Sequence, residues 1–487
     1  MKDQNGQEEQ MRQEAQPAEM AAKGGKRKKS KNPDDRVGFF RLVRWQSSAV
    51  SVALNTLLLG YITYYCTDVL QLSAALVGTL LLVSKVVDAV TDLVAGVIID
   101  RTETRWGKGR PYEIFMLFLW LATWALYSTP AAFSTAAKCV WIFCMYSFVN
   151  AICKTFLNGN NCVYLVRAFK TRTQQVKVTA YGSFFTMAAG FAFNILFPQM
   201  LVRMGTSHDA WSVMALKMAI PLTLLGLLRI LTIPEQYNQE ADVKASGEKL
   251  NLGDVKQLFQ SNRYLLAITV IALLYNIVTS MGVGTYFFKY IVGNVGLMSV
   301  TSAFTVLGLP VAFLLPRWAG KYGMAKTSMI GFIVAGLTGL GIFIGGGKIF
   351  AVVILCMLIS TLAVVPYNMM GAVFIMEMAD YNEYRGIPRM EGTMGALKGL
   401  AEKVGSALGG FILGVMLSVS GYDGALEAQP QSAITMILLL SSIFPLLMYL
   451  LMAFLFHKGY APLDAMKPEI TAALEEKKAA HASEQAV

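Results

Sequence analysis

The chain has 487 residues, of which 55% are hydrophobic and only 15% are charged, whereas typical soluble domains carry about 25% charged residues. Its length allows roughly twelve membrane spans of about 20 residues joined by short loops. A net charge of +11 is also found in nucleic-acid-binding proteins, but here the basic residues gather in alternate loops between apolar runs. The composition therefore predicts an all-α, multi-pass membrane protein and excludes a nucleic acid partner.

Three polar stretches frame the apolar part of the chain. Residues 1–36 are charged and are expected to be a disordered cytoplasmic tail. Their basic cluster, residues 23–32, is typical of a solvated tail beside a membrane, with binding to anionic lipid headgroups as the alternative. Residues 234–263 are predicted to form a cytoplasmic middle loop, and residues 458–487 a cytoplasmic tail.

Between these stretches the apolar runs are long enough to cross a bilayer as helices. The first block, residues 37–233, contains six predicted spans, at 38–66, 74–100, 112–132, 137–165, 177–203 and 211–233. The second block, residues 264–457, contains six more, at 264–290, 298–316, 326–347, 349–378, 392–420 and 433–457. This division predicts twelve transmembrane helices in two homologous six-helix bundles.

The distribution of basic residues predicts the orientation of these helices. Lysine and arginine concentrate in alternate loops, including residues 101–110, 167–177 and 317–326. Positive residues accumulate on the cytoplasmic side of membrane proteins. Both termini are therefore expected in the cytoplasm, in a monomer that spans the cell (inner) membrane and is surrounded by its lipid.

Asp88 and Asp92 are the most informative residues of the predicted second span. A carboxylate inside a bilayer is costly and marks a functional site by default. Residues four apart share one face of a helix. Two carboxylates at so short a distance repel each other unless a cation lies between them or one of them is protonated. The pair predicts a Na⁺ or H⁺ site. The alternative is that both acids pair with a membrane-buried lysine or arginine and only hold helices together.

Motifs for catalysis or a resident cofactor are missing from the sequence. There is no HExxH, no P-loop and no Ser/His/Asp arrangement, and the six cysteines show no CxxC spacing. The three histidines are scattered and form no cluster. The sequence therefore predicts a protein that is not an enzyme and carries no cofactor.

Several ordered motifs resemble one transporter family. Residues 64–92 (YYCTDVLQLSAALVGTLLLVSKVVDAVTD), residues 100–111 (DRTETRWGKGRP) and residues 378–410 (MADYNEYRGIPRMEGTMGALKGLAEKVGSALGG) resemble the glycoside–pentoside–hexuronide:cation symporter family of the major facilitator superfamily. The resemblance covers about residues 37–457. It implies the major facilitator fold and cation-coupled symport of a small polar solute.

The resemblance also implies which residues bind the coupling cation. The acids of the family's second helix match Asp88 and Asp92. A polar residue between them matches Thr91, and a fourth-helix hydroxyl matches Thr155. All four offer oxygen ligands, which suit a hard cation such as Na⁺.

The positions that the resemblance assigns to the solute have changed. A first-helix acid is replaced by Val52, with Asn55 one turn further along. A fourth-helix acid corresponds to Asn158, and a nearby aromatic residue to Cys162. A fifth-helix arginine corresponds to Ser183, whereas an eleventh-helix lysine is kept as Lys403. Because of these replacements, the resemblance does not carry the particular sugar of the family's best-known member over to this chain.

The remaining charges within spans are mainly basic. Lys403 is expected to pair with Asp88 or Asp92 when no cation is bound, and Lys398 with Glu402 four residues on. Lys154, in the predicted fourth span, has no evident partner. An anionic solute such as a sugar acid is therefore favoured, and a neutral glycoside remains the alternative.

Charged residues at the predicted cytoplasmic ends of the helices suggest a gate. Ion pairs among them would close the cytoplasmic side while the site faces outward. The predicted gate residues are Asp100, Arg101, Arg105, Arg110, Asp380 and Arg385. The sequence as a whole predicts a secondary transporter that works by alternating access, with an uncoupled facilitator or a carrier of a lipid-like, amphipathic solute as alternatives.

Overall fold

The computed structural model describes residues 37–102, 104–236, 262–304, 318, 322–346, 348–387, 390–426 and 428–484. The regular structure of these residues is helical, apart from one isolated β-bridge between Thr104 and Gly107. The predicted tail at residues 1–36 and most of the predicted loop at 234–263 lie outside the described residues. We refer to residues 37–236 as the N-terminal segment and to residues 262–484 as the C-terminal segment.

The N-terminal segment contains helices α1 to α6. Helix α1 comprises Phe39–Leu59, Ile62–Tyr64 and the π-helical turn Tyr65–Val69, with a bend of 41°. Helix α4 comprises the consecutive stretches Thr135–Ser147, Phe148–Lys154 and Thr155–Ala168, of which the middle one is π-helical. The others are α2 (Ala74–Arg101), α3 (Phe115–Tyr127), α5 (Arg172–Met204) and α6 (His208–Thr232).

The C-terminal segment contains helices α7 to α12. Helix α7 comprises Arg263–Ser280 and Val283–Tyr290, and α10 comprises Phe350–Ala363 and Val365–Tyr384. Helix α12 comprises Gln431–Ser441, Ile443–Leu455, the π-helical turn Phe456–Tyr460 and Ala461–Glu484. The others are α8 (Met298–Phe304), α9 (Met324–Gly345) and α11 (Glu391–Val419).

Local sequence signals account for several helix ends. The hydroxyls of Ser73 and Ser134 accept hydrogen bonds from backbone amides in the first turns of α2 and α4, as expected for helix N-caps. Helix α7 is interrupted at Gly282, whose φ of 76° is a conformation that favours glycine.

Nine helices of the described residues are long and apolar enough to cross a membrane, or ten if bent α1 is counted as one span. Helix α3 has 13 residues and α8 is described over only seven, so neither reaches the length of a span. The prediction of an all-helical membrane protein is confirmed, whereas the number of twelve spans remains a prediction.

The chain after the last predicted span continues as a helix. Residues 458–484, predicted as a polar tail, belong to the final turns of α12. Lys467 forms an ion pair with Glu377 of α10, and Asp464 accepts a hydrogen bond of 2.8 Å from the backbone amide of Ala325. These contacts attach the end of α12 to the C-terminal segment.

Helix α11 packs closely against α2 of the N-terminal segment and against α7. A Cβ atom added at Gly414 would lie 2.3 Å from the carbonyl oxygen of Ala74, and one at Gly405 would lie 2.3 Å from that of Leu273. Only glycine permits backbones to approach this closely. The contact with α2 brings α11 beside the acidic face of α2.

Candidate cation and solute site

The two acids of α2 meet one hydroxyl of α4. Asp88 is buried and Asp92 is half-buried, and their i,i+4 spacing directs both side chains to the same side of α2. Thr155, which follows the π-helical stretch of α4, donates a hydrogen bond of 2.8 Å from Oγ1 to Oδ1 of Asp92. The same Oγ1 lies 3.3 Å from Oδ1 of Asp88. Three of the four predicted cation ligands thus lie together.

Lys403 of α11 completes this cluster from the C-terminal segment. Its ammonium forms an ion pair with Oδ2 of Asp92 and lies 3.8 Å from Oδ2 of Asp88. The structure therefore contains the contact between Lys403 and the acids that the sequence predicted for the state without a cation. This contact joins α2 to α11.

Lys85 is a neighbour of the acids that sequence reasoning missed. Its ammonium lies 3.9 Å from Oδ2 of Asp88, three residues further along α2. The signal that could have revealed it is this i,i+3 spacing, at which helix side chains are neighbours. Asp88 is consequently shared between two lysines.

Thr91 is placed differently from the other three predicted ligands. Its hydroxyl donates to the backbone carbonyls of Val87 and Asp88, at 3.1 and 3.0 Å. These bonds lie within α2 and satisfy the hydroxyl without a carboxylate. A role for Thr91 in cation binding remains a prediction, and this conformation gives it no support.

A cavity of 380 Å³ adjoins the acid cluster and is lined by both segments. Helices α1, α2, α4, α7 and α11 contribute to its wall. The polar residues that line it are Thr56, Thr63, Lys85, Tyr146, Asn150, Lys154, Thr279, Ser280 and Ser406. Its volume and mixed lining are those of a site for a small molecule.

Lys154, which the sequence predicts to contact the solute, lines this cavity. It is the last residue of the π-helical stretch of α4 and is 8% exposed. Single π-helical turns are frequent at functional sites. Within the described residues its ammonium has no ion pair or hydrogen bond.

The other predicted solute residues are placed less favourably. Asn55 is fully buried and donates a hydrogen bond of 2.8 Å to Oγ1 of Thr123 on α3, whereas its neighbour Thr56 lines the cavity. A step of one residue turns a helix by about 100°, so Asn55 faces α3 and its predicted solute contact finds no support. Asn158 is exposed and does not line this cavity.

Cys162 and Ser183 lie on α4 and α5, respectively, and their side chains are outside the described part of the structure. Next to Asn158, two other asparagines have structural contacts. Asn160 donates to the carbonyl of Gly109 at 3.0 Å, and Asn161 accepts a hydrogen bond of 2.8 Å from Arg229. These two asparagines therefore connect α4 to other parts of the N-terminal segment.

The predicted cytoplasmic gate residues have contacts within their own segments. Arg110 donates from Nε and Nη2 to the carbonyl of Ile230, at 2.8 and 2.6 Å. The guanidinium of Arg105 lies over the ring of the adjacent Trp106. Arg385 donates a hydrogen bond of 3.0 Å to the hydroxyl of Tyr381.

The remaining gate residues are Asp100 and Arg101, at the end of α2, and Asp380 on α10. The side chains of the first two are not among those described. Sequence reasoning missed Glu235, whose carboxylate accepts hydrogen bonds from the backbone amides of Lys108 and Gly109, at 2.9 and 2.8 Å. It holds the basic turn after α2 against the end of α6.

A second cross-segment contact, the Asp68 latch, lies near the other end of α2. Asp68 lies in the last turn of α1 and is 3% exposed. Its carboxylate forms an ion pair with Lys289 and accepts hydrogen bonds of 2.7 Å from the hydroxyls of both Tyr290 and Tyr422. Lys289 and Tyr290 are the last two residues of α7, and Tyr422 lies shortly after the end of α11. The latch joins the segments on the side away from the basic turn.

In the described residues, a helical bundle with a polar cavity between two parts of the chain, beside a cluster of carboxylates and lysines, is typical of a multi-pass membrane transporter. The model of the MFS/sugar transport protein family matches residues 47–464. The chain therefore belongs to this family of the major facilitator superfamily, and the predicted resemblance to glycoside–pentoside–hexuronide:cation symporters is confirmed. It is a transporter and not an enzyme.

Two relatives and one solved structure are similar to the chain over most of its length. The isoprimeverose transporter of Lactiplantibacillus pentosus is 27% identical and covers 88% of each chain. The inner membrane symporter YicJ of Escherichia coli (strain K12) is 25% identical over 82% of this chain and 87% of its own. The crystal structure of a D-xylose–proton symporter has a TM-score of 0.60 at 15% identity, over 85% of this chain and 97% of that one. The last similarity shows the major facilitator fold.

Proposed function

We propose that the chain is a secondary active transporter that carries a small polar solute, a glycoside or a sugar acid, together with Na⁺ or H⁺. One observation carries the proposal. The carboxylates of Asp88 and Asp92 share the Thr155 hydroxyl and the Lys403 ammonium. Because acids within a membrane span are costly, such a pair indicates a function. The names of the isoprimeverose transporter and the inner membrane symporter support a sugar-type solute and symport.

Coupling follows from the exchange of positive charge at the acid pair. Lys403 neutralises Asp92 in this conformation. Na⁺ between the carboxylates, or a proton on one of them, would supply the same charge and release Lys403. Carboxylate and hydroxyl oxygens are the ligands that a hard cation prefers. Because Lys403 belongs to α11 and the acids to α2, its release also loosens a contact between the segments.

Alternating access requires that the two ends of the site open in turn. We place the Asp68 latch on the outer side of the membrane, because the turn at the opposite end of α2 is basic and positive residues favour the cytoplasm. In this arrangement both termini are cytoplasmic and the twelve predicted helices form two six-helix bundles. The closed latch then corresponds to an inward-facing transporter.

The two alternatives fit the site less well. An uncoupled facilitator has no use for two acids within a predicted span that share a hydroxyl. A carrier of a lipid-like solute would favour an apolar cavity, whereas this one is lined by Lys85, Lys154 and several hydroxyl groups.

Solute uptake into proteoliposomes tests the proposal. A panel of glycosides and sugar acids would be screened with an inward Na⁺ gradient, with an inward H⁺ gradient and with neither. We expect at least one solute to accumulate above its external concentration only when one of the cation gradients is present. Equilibration of the transported solutes without any gradient dependence would indicate a facilitator and contradict the proposal.

A further inference from the structure

Lys154 is a buried lysine whose amino group meets no counter-charge among the described residues. Its side chain lines the cavity between the segments and is 8% exposed. The described residues offer its ammonium neither a carboxylate within 4.0 Å nor a hydrogen-bond acceptor. A charged lysine near the centre of a membrane helix is costly. Such a group is retained only where something else compensates its charge.

The neighbouring acids are already engaged by other lysines. Asp88 lies 3.9 Å from Lys85 and 3.8 Å from Lys403, and Asp92 forms its ion pair with Lys403. Among these described side chains, two carboxylates therefore face three ammonium groups when Lys154 is included. The cavity side of the cluster has an excess of positive charge even before a coupling cation binds.

This excess of positive charge lies at the cavity where a solute would bind. Lys85 and Lys154 both line the cavity, one from α2 and one from α4, while the other polar residues of its described wall are uncharged. A coupling cation at Asp88 and Asp92 would withdraw those carboxylates from Lys85 as well. Two lysines facing the same cavity would then lack a partner, which favours an anion between them.

We propose that Lys85 and Lys154 form an anion subsite that binds the carboxylate of an acidic solute, while the hydroxyls of Thr279, Ser280 and Ser406 meet its hydroxyl groups. The subsite rests on the proposed function, since it assigns a substrate class, the sugar acids, to that transporter. The cation and the solute then bind cooperatively, because the cation releases Lys85 to pair with the carboxylate of the solute.

Calorimetric titration of the purified protein in lipid nanodiscs, at one pH and with NaCl present, tests the subsite. The probes are three matched pairs that differ in a carboxylate: 4-nitrophenyl β-D-glucuronide and β-D-glucoside, D-glucuronate and D-glucose, and D-galacturonate and D-galactose. We expect wild type to bind the acid of at least one pair about tenfold more tightly than its neutral partner, as for a charge-assisted hydrogen bond. The variant Lys154→Gln should remove this preference, and Lys154→Arg should retain it.

Lys398→Gln is the matched control, because Lys398 is another lysine of a predicted span, half-buried, but it already pairs with Glu402. It should leave the acid preference unchanged. The absence of an acid preference in every pair, including the absence of any binding, would overturn the subsite. An equal loss of affinity for the acid and its neutral partner in Lys154→Gln would also overturn it. If that variant does not fold, Lys85→Gln must lower the acid preference instead.

Binding in nanodiscs needs no gradient, so the subsite and the transport proposal fail separately. Acid preference without gradient-driven uptake would contradict symport and leave the subsite standing. Gradient-driven uptake with equal binding of acids and neutral partners would contradict the subsite alone.

Discussion

Thr155 is the residue at which the two carboxylates of α2 converge. Its hydroxyl lies 2.8 Å from Asp92 and 3.3 Å from Asp88, so it holds both acids in one geometry and offers a further oxygen to a cation. Thr91, which lies between the acids in sequence, instead bonds to the backbone of its own helix. The two threonines can therefore be separated by experiment.

We expect Thr155→Val, which has nearly the same shape, to raise the cation concentration for half-maximal uptake about tenfold, the effect of losing one hydrogen bond to a charged group. Thr91→Val should change it less than about twofold, and Thr155→Ser should retain the wild-type value. Uptake against increasing Na⁺ or H⁺ concentration measures this. A larger effect from Thr91→Val than from Thr155→Val would support the role implied by the family resemblance instead.

Several site residues could be predicted from the sequence because their chemistry is costly in a membrane. Asp88 and Asp92 were recognisable from their spacing in an apolar run, and Lys403 as the basic residue able to neutralise them. Lys85 was missed because its contact depends on the direction of one side chain. The contact between Asn55 and Thr123 could not be predicted, because the sequence does not show which face of α1 meets α3 and which meets the cavity.

At the scale of the helix, α11 holds the site together because its glycines permit close contact. Helix α2 was predicted at residues 74–100 and is observed at Ala74–Arg101, since an apolar run between a serine cap and a basic turn has clear ends. The contact between α11 and α2 could not be predicted from the sequence. A glycine shows where another backbone can approach, but it does not show which helix does so.

Gly414 gives a test of this close contact. A Cβ atom there would lie 2.3 Å from the carbonyl oxygen of Ala74, whereas one at Gly399 on the same helix would meet nothing within 4 Å. We expect Gly414→Ala to destabilise the protein by about 1–3 kcal/mol through overpacking, and to lower its melting temperature in detergent. Gly399→Ala is the matched control and should be neutral or slightly stabilising. Equal melting temperatures for the two variants would contradict the packing.

At the scale of the whole molecule, the Asp68 latch and the acid cluster are two contacts that join the segments. The latch could not be predicted, since its partners Lys289, Tyr290 and Tyr422 are 221, 222 and 354 residues away in sequence. A carboxylate that is 3% exposed and has three partners from the other segment must lose them if this side is to open.

Asp68→Asn should weaken the latch and shift the population toward the state open on that side. A cysteine replacing Ser280 in the cavity would report the shift, as labelling by an impermeant thiol reagent added outside intact cells, in a background without reactive native cysteines. We expect faster labelling in Asp68→Asn, while Asp209→Asn, a change at an almost fully exposed acid, should label as the parent does. Unchanged or slower labelling in Asp68→Asn would argue against a latch on the outer side.

Gradient-driven accumulation by the variant that combines Asp88→Asn and Asp92→Asn tests the central claim most directly. Asparagine keeps the shape of the acids but removes the negative charges for which Lys403 and the cation compete. In proteoliposomes with a solute that wild type accumulates, we predict no uphill accumulation by this variant, while solute exchange without a gradient remains measurable. Full accumulation to the wild-type level would contradict cation coupling at this site.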